Sequence, residues 1–175
     1  MDSITQAALG ATVAGAIAGK RCNAKVLLMG AALGTLPDLD VMLDYGDAVE
    51  NTIKHRGFSH SIFVLLPFSW LISKLYTRFR PDEFWTMSRV FFLTASVLIT
   101  HALLDAMTTY GTQLIWPIQG YFSVNNIFII DPLYTLPLIA AIIVGLFSSK
   151  RGDSGAAPSS LSRLCILVGD LPLSK

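Results

Sequence analysis

Residues Val90 to Met107 read VFFLTASVLITHALLDAM, an apolar run with a histidine and an aspartate near one end. A straight membrane-spanning helix needs about 20 residues, with a range of roughly 17–25. His101 and Asp105 stand four apart, so a helix projects both from one face, with Thr108 a further turn along it. Ionisable groups in such a segment are costly, and by default they mark a functional site. A hydrogen bond internal to the helix is the bland alternative.

Four further apolar stretches surround this one. Ile4 to Gly19 is rich in small residues, and Val26 to Pro37 holds Gly30 and Gly34 at GxxxG spacing. Both are short, and small residues suit close helix contact more than lipid exposure. They are expected as a tightly packed hairpin in the interior, with a re-entrant pair as the competitor. Phe58 to about Tyr76 has spanning length, as does Ile127 to Phe147, which Asp131-Pro132 and Pro137 interrupt. The fold expected is all-α, an integral membrane bundle of about five hydrophobic helices. Residues 1–148 form its embedded domain. Residues 149–175 open with a Gly/Ser/Ala/Pro run that reads as a flexible tail.

Composition agrees. Of 175 residues, 53% are hydrophobic and 14% charged, against roughly 25% charged in a typical soluble domain. The net charge of +1 gives no global basic character for nucleic acid. Cys22 and Cys165 are far apart and form neither a zinc ribbon nor a disulfide framework. Met1 to Thr5 lacks the positive region of a secretory signal, so the inserting segments are expected to be retained. Lys20, Arg21 and Lys25, then Lys74, Arg78, Arg80 and Arg89, then Lys150 and Arg151 fall on alternate loops. The positive-inside rule assigns those loops to the cytoplasm, with the N-terminus outside and the C-terminus inside.

That topology brings the remaining chemistry to the outer ends of the helices. His55, His60 and His101 lie there, as do Asp2, Asp38, Asp40, Asp105 and Asp131. His55 and His60 converge only if His55 is in a loop and His60 begins the third helix, a turn that Gly57 permits. A solvated acidic loop is the alternative for Asp38 and Asp40, and simple exposure the alternative for Asp2. Asp44, Asp47 and Glu50 read as solvated loop, whereas Asp131 needs a donor or metal nearby. Imidazoles and carboxylates without thiolates suit a divalent metal, zinc first, with manganese and iron as alternatives. Metal-activated water and an anion-binding Arg56 would favour hydrolysis of an anionic or ester substrate. The first ligand assignments are His60, His101 and Asp105, with His55 and Asp2 as further candidates. Asp38 and Asp40 are further ligands or general bases, and Ser59, Thr108 and Asp131 complete the polar site. No GxSxG elbow, P-loop, HExxH or GxGxxG is present in a fitting context.

Several ordered motifs carry a resemblance. They are Met1 to Gln6, Leu36-Pro37-Asp38-Leu39-Asp40, His55 to Ser61, His101 to Asp105, Thr109 to Gln113 and Ile130 to Tyr134. Over about residues 1–148 the chain resembles the bacterial membrane-bound family described as metal-dependent hydrolases, whose best-known member is a LexA-regulated inner-membrane protein of the SOS response. More distantly it is similar to zinc phospholipase C and its nuclease relatives. The resemblance implies a multi-pass protein of the bacterial inner membrane. It also implies a metal-dependent hydrolase taking a small anionic or lipid-like substrate, such as a phospholipid or other phosphate ester. Matched by position, its site residues would be Asp2, Asp38, Asp40, His55, His60, His101, Asp105 and Asp131. Members often carry His where Gln6 stands and Thr where Ser59 stands, and they are often longer. The first departure removes one potential ligand, and the tail raises the question of a shortened enzyme. The alternatives are an ion transporter and a stress-response membrane protein that uses metal only for structure.

Overall fold

The computed structural model describes residues 2–42, 46, 57–109, 111–118, 120–124 and 135–143. It is helical, and among the described residues the only β pairing is an isolated bridge between Thr112 and Phe122. Helix α1 spans Ser3–Ala18 and α2 spans Ala24–Thr35. α3 spans Ile62–Phe79, α4 spans Met87–Ala106, and residues 135–143 are also helical. The fifth apolar stretch is therefore represented by that segment, and the rest of it lies outside the described residues.

The helices begin where side chains can take up their orphan amides. Asp2 accepts from the Thr5 amide at 3.1 Å, Asn23 from Val26 at 3.1 Å, and Thr86 from Arg89 at 3.4 Å. α3 is different. Ser61 sits at its N-cap without capping it, and its Oγ donates to the Trp116 carbonyl at 2.8 Å. The Ile62 amide is taken up instead by the Leu114 carbonyl at 2.9 Å. The helix thus starts at Ile62, four residues after the start of the apolar run. A 3₁₀ turn, Phe58–His60, precedes it, so His60 lies ahead of the helix and does not begin it.

The two short helices meet along their glycines. A Cβ on Gly10 would lie 2.2 Å from the Gly30 carbonyl oxygen and 2.9 Å from the Gly34 Cα. Backbone approach this close leaves no room for any side chain, which is what the small-residue pattern predicts. At 16 and 12 residues these helices reach about 24 and 18 Å, short of a hydrocarbon core of about 30 Å. α3 and α4, at 18 and 20 residues, are long and apolar enough to cross it. Leu93 and Val97 of α4 pack on Ala14, Ala18, Val26 and Leu33 to make the main core. Phe63, Leu66, Trp70, Leu71 and Leu75 of α3 face outward.

The two ends differ in kind. Arg21, beside the α1–α2 turn, and Arg89, at the start of α4, both lie over the Phe84 ring, at 5.1 and 4.3 Å. The α1–α2 turn and the α3–α4 loop thus share one basic end. At the other end α2 runs into a 3₁₀ turn, Pro37–Met42, beside the Phe58–His60 turn and the last turn of α4.

A buried carboxylate–imidazole cluster

Four side chains from three places in the sequence meet at that second end. Asp38 arrives from the turn after α2, His60 from the turn before α3, and His101 and Asp105 from one face of α4. Their ligand atoms all lie within 4.8 Å of one another. The Nε2 atoms of His60 and His101 are 3.0 Å apart. Asp105 Oδ2 is 3.3 Å from the first and 3.9 Å from the second, and Asp38 Oδ1 is 3.5 Å from each. His60, His101 and Asp105 are essentially inaccessible, and the Asp38 side chain is 17% exposed.

The proton arrangement shows what such a set fits. His101 Nδ1 lies 2.6 Å from the Gly34 carbonyl, which can only accept, so Nδ1 carries the proton and Nε2 presents a lone pair. His60 Nδ1 lies 2.9 Å from Ser59 Oγ, and Ser59 donates its own proton to Asp40. With Asp40 ionised, Ser59 can only accept from Nδ1–H, so His60 Nε2 is also a lone pair. Two lone pairs facing each other beside two carboxylates require positive charge between them, either a proton or a metal ion. Tetrahedral ligands about 2.0–2.1 Å from zinc stand about 3.3 Å apart. Most of the separations above lie close to that value, so the residues fit a divalent metal.

The electrostatics agree. Burial opposes charge on both Asp38 and His60, but their mutual contacts prevail. With a proton rather than a metal between the imidazoles, hydrogen bonds and attraction from the histidines hold Asp38 far below the carboxylate range. Hydrogen bonds and attraction from Asp105 and Asp38 hold His60 above its usual value.

Gln6, which by sequence looked like the loss of a ligand, is wholly buried against the cluster. Its Nε2 donates to Asp105 Oδ1 at 3.0 Å, which leaves Oδ2 turned to His60. Its Oε1 has no hydrogen-bond partner among the described residues. The Gly34 carbonyl was also missed, since backbone acceptors leave no trace in composition.

The other expected residues are placed differently. Asp2 caps α1 and accepts from the Thr5 hydroxyl at 2.6 Å, outside the set of four. Asp40 and Ser59 stand behind His60. Thr108 follows the end of α4 instead of continuing its face, and its hydroxyl donates to the Asp105 carbonyl at 2.7 Å. That bond takes up one of the carbonyls a helix end leaves open. His55, Arg56 and Asp131 lie outside the described residues, as do Asp44, Asp47 and Glu50.

Apolar residues border the site along the chain. Leu65, Leu98 and Ala102, each within five residues of His60 or His101, form a second buried apolar cluster, with Phe68 and Leu114 against them. Leu39, Val41 and Met42 flank the carboxylates of the site, and Phe58 meets Trp116 edge to face at 6.5 Å; all five side chains are exposed.

Fold and site together define a helical protein with, among the described residues, two segments of membrane-spanning character and a buried centre able to hold a metal ion. The chain belongs to the YdjM inner membrane protein family, whose model matches residues 1–170. It is 31% identical over 153 residues to Inner membrane protein YbcI of Escherichia coli (strain K12), covering 81% of this chain and 85% of that one. It is 31% identical over 134 residues to Uncharacterized protein YfhP of Bacillus subtilis (strain 168). That match covers 76% of this chain but only 39% of the longer relative. No solved structure matches the chain significantly.

Proposed function

We propose that this protein is a metal-dependent hydrolase of the bacterial inner membrane, acting at the outer face on phospholipid or other phosphate esters. The carrying observation is the convergence of His60, His101, Asp105 and Asp38, with both imidazole Nε2 lone pairs turned inward. A zinc ion, or manganese or iron, bound there would supply Lewis acidity and lower the pKa of a bound water toward neutrality. His60, His101 and Asp105, the three buried members of the set, would hold it. Asp38, whose side chain is 17% exposed, would complete the set from the accessible side. Arg56, a candidate from the sequence alone, would supply a guanidinium for the anionic group of the substrate. The exposed apolar rim of Leu39, Val41, Met42, Phe58 and Trp116 suits an amphiphile presented by the bilayer. The basic end formed around Arg21 and Arg89 supports placing the site outside and the C-terminus in the cytoplasm.

The test is turnover by purified, zinc-loaded protein on a panel of phosphomonoesters, phosphodiesters and phospholipid vesicles. Hydrolysis of at least one class is expected, with loss to background in folded His101→Ala and His60→Ala. Undiminished turnover in those variants would sink the mechanism.

The burial of three of the four residues favours a second reading, in which the ion only ties α2, α3 and α4 together. Under that reading chelation lowers the unfolding temperature, and no ester in the panel is hydrolysed. A transport path is disfavoured, because Ser69 and Ser73, buried further along α3, spend their hydroxyls on carbonyls of their own helix.

A further inference from the structure

Asp40 and Ser59 are not among the four residues of the cluster; they meet one of them, His60, on its Nδ1 side. Ser59 Oγ donates to Asp40 Oδ2 and stands 2.9 Å from His60 Nδ1. A hydroxyl has one proton to give, and an ionised carboxylate can only accept it. The remaining role for Ser59 toward the imidazole is to accept, which commits His60 to the tautomer protonated at Nδ1. The backbone sets this up. The 3₁₀ turn Phe58–His60 places the two neighbouring side chains on one side, and the Pro37–Met42 turn brings in Asp40, itself buried. His101 gets the same service from the Gly34 carbonyl. The asymmetry is informative: a carbonyl can only accept, whereas a hydroxyl can donate or accept and is confined to accepting from the imidazole only when its own proton is engaged elsewhere.

We infer that Asp40 and Ser59 are a positioning relay, in which Asp40 orients the Ser59 hydroxyl so that His60 is locked with Nε2 facing the cluster, and that this sets its affinity for a divalent cation. The inference rests on the metal reading above and moves Asp40 from a further ligand or general base to a residue acting through Ser59. Outer-sphere partners of this kind typically change metal affinity by 10–100-fold.

The test uses full-length protein in detergent with three readouts: zinc affinity, zinc stoichiometry and the ¹⁵N spectrum of the imidazoles. With three histidines in the chain, His60→Ala assigns the His60 signal. The wild type is expected to show His60 protonated at Nδ1, both metal-free at a pH above the His60 pKa and zinc-loaded. Ser59→Ala should mix the tautomers in the metal-free protein and weaken zinc binding by about 10–100-fold at unchanged stoichiometry. Ser59→Thr should restore both. Asp40→Asn, which leaves the hydroxyl in place, should give an intermediate loss and serves as the second variant should Ser59→Ala not fold. Wild-type affinity and an unmixed tautomer in Ser59→Ala would overturn the relay, as would His60 protonated at Nε2 in the wild type. Failure of the metal reading shows separately, as zinc affinity unchanged in His60→Ala.

Discussion

Gln6 donates to Asp105 while its own carbonyl oxygen lacks a hydrogen-bond partner among the described residues. Turning the amide over would face that oxygen to a carboxylate, so the orientation is fixed by chemistry. Gln6→Leu keeps the volume but frees Asp105 to rotate, and the zinc affinity is expected to fall about tenfold or more in a titration with a competing chelator. An unchanged affinity would mean that Asp105 is held by its helix alone. Protons compete for the same atoms. His60 has a raised pKa in the metal-free protein, so it takes up a proton as the pH falls through that value, and metal binding must expel it. Affinity should therefore fall on acidification, by about tenfold per pH unit for each proton displaced, and level off above the His60 pKa. A pH-independent affinity would contradict His60 as a ligand. At this scale the sequence was partly legible. The i,i+4 pair His101 and Asp105 could be read because helical periodicity ties spacing to direction. The contacts of Gln6, Gly34 and Asp40 could not, because they join residues far apart in the chain and depend on how closely the helices approach.

That approach is a property of α1 and α2. A Cβ at Gly10 meets backbone atoms of α2, which cannot rotate away. At Gly15 the nearest obstacle is the Leu27 Cδ2, 2.9 Å away and the end of a flexible side chain. Gly10→Ala is expected to cost about 1–3 kcal/mol despite the better helix propensity of alanine, and Gly15→Ala clearly less. Because Gly34 presents its carbonyl to His101, separating the helices should also weaken metal binding without touching a ligand. Denaturation and zinc titration of the same samples check both, with Gly120→Ala as a neutral control, since a Cβ there meets nothing within 4 Å. Stability losses equal at Gly10 and Gly15 would refute the close packing as the cause. The hairpin itself was legible from its small residues, which have no other use at that density. The start of α3 was not. Apolarity begins at Phe58, but the helix waits for Ile62, whose amide is bound by a loop more than fifty residues away.

For the whole molecule, a metal in this cluster is a cross-link among segments that follow α2, precede α3 and end α4. At a hundredfold excess over its dissociation constant a ligand adds about 2.7 kcal/mol to stability, which in a chain of this size raises the melting temperature by about 5–10 °C. A rise of that order on adding zinc, reversed by chelator and absent in His101→Ala, is expected in detergent. Reporters fused in the α3–α4 loop should score as cytoplasmic, and one placed after Met42 as external; the reverse pattern would put the site inside the cell. Membrane character and the gathering of polar groups at one end were legible in the alternation of charge along the chain. The reaction was not, since a buried donor set serves catalysis and structure equally well.

The most direct test is elemental analysis of the purified protein beside folded His60→Ala and His101→Ala variants. The account predicts about one equivalent of zinc, manganese or iron in the wild type, lost or sharply reduced in both variants. Wild-type protein that stays metal-free after reconstitution, or variants that keep the full equivalent, would contradict it.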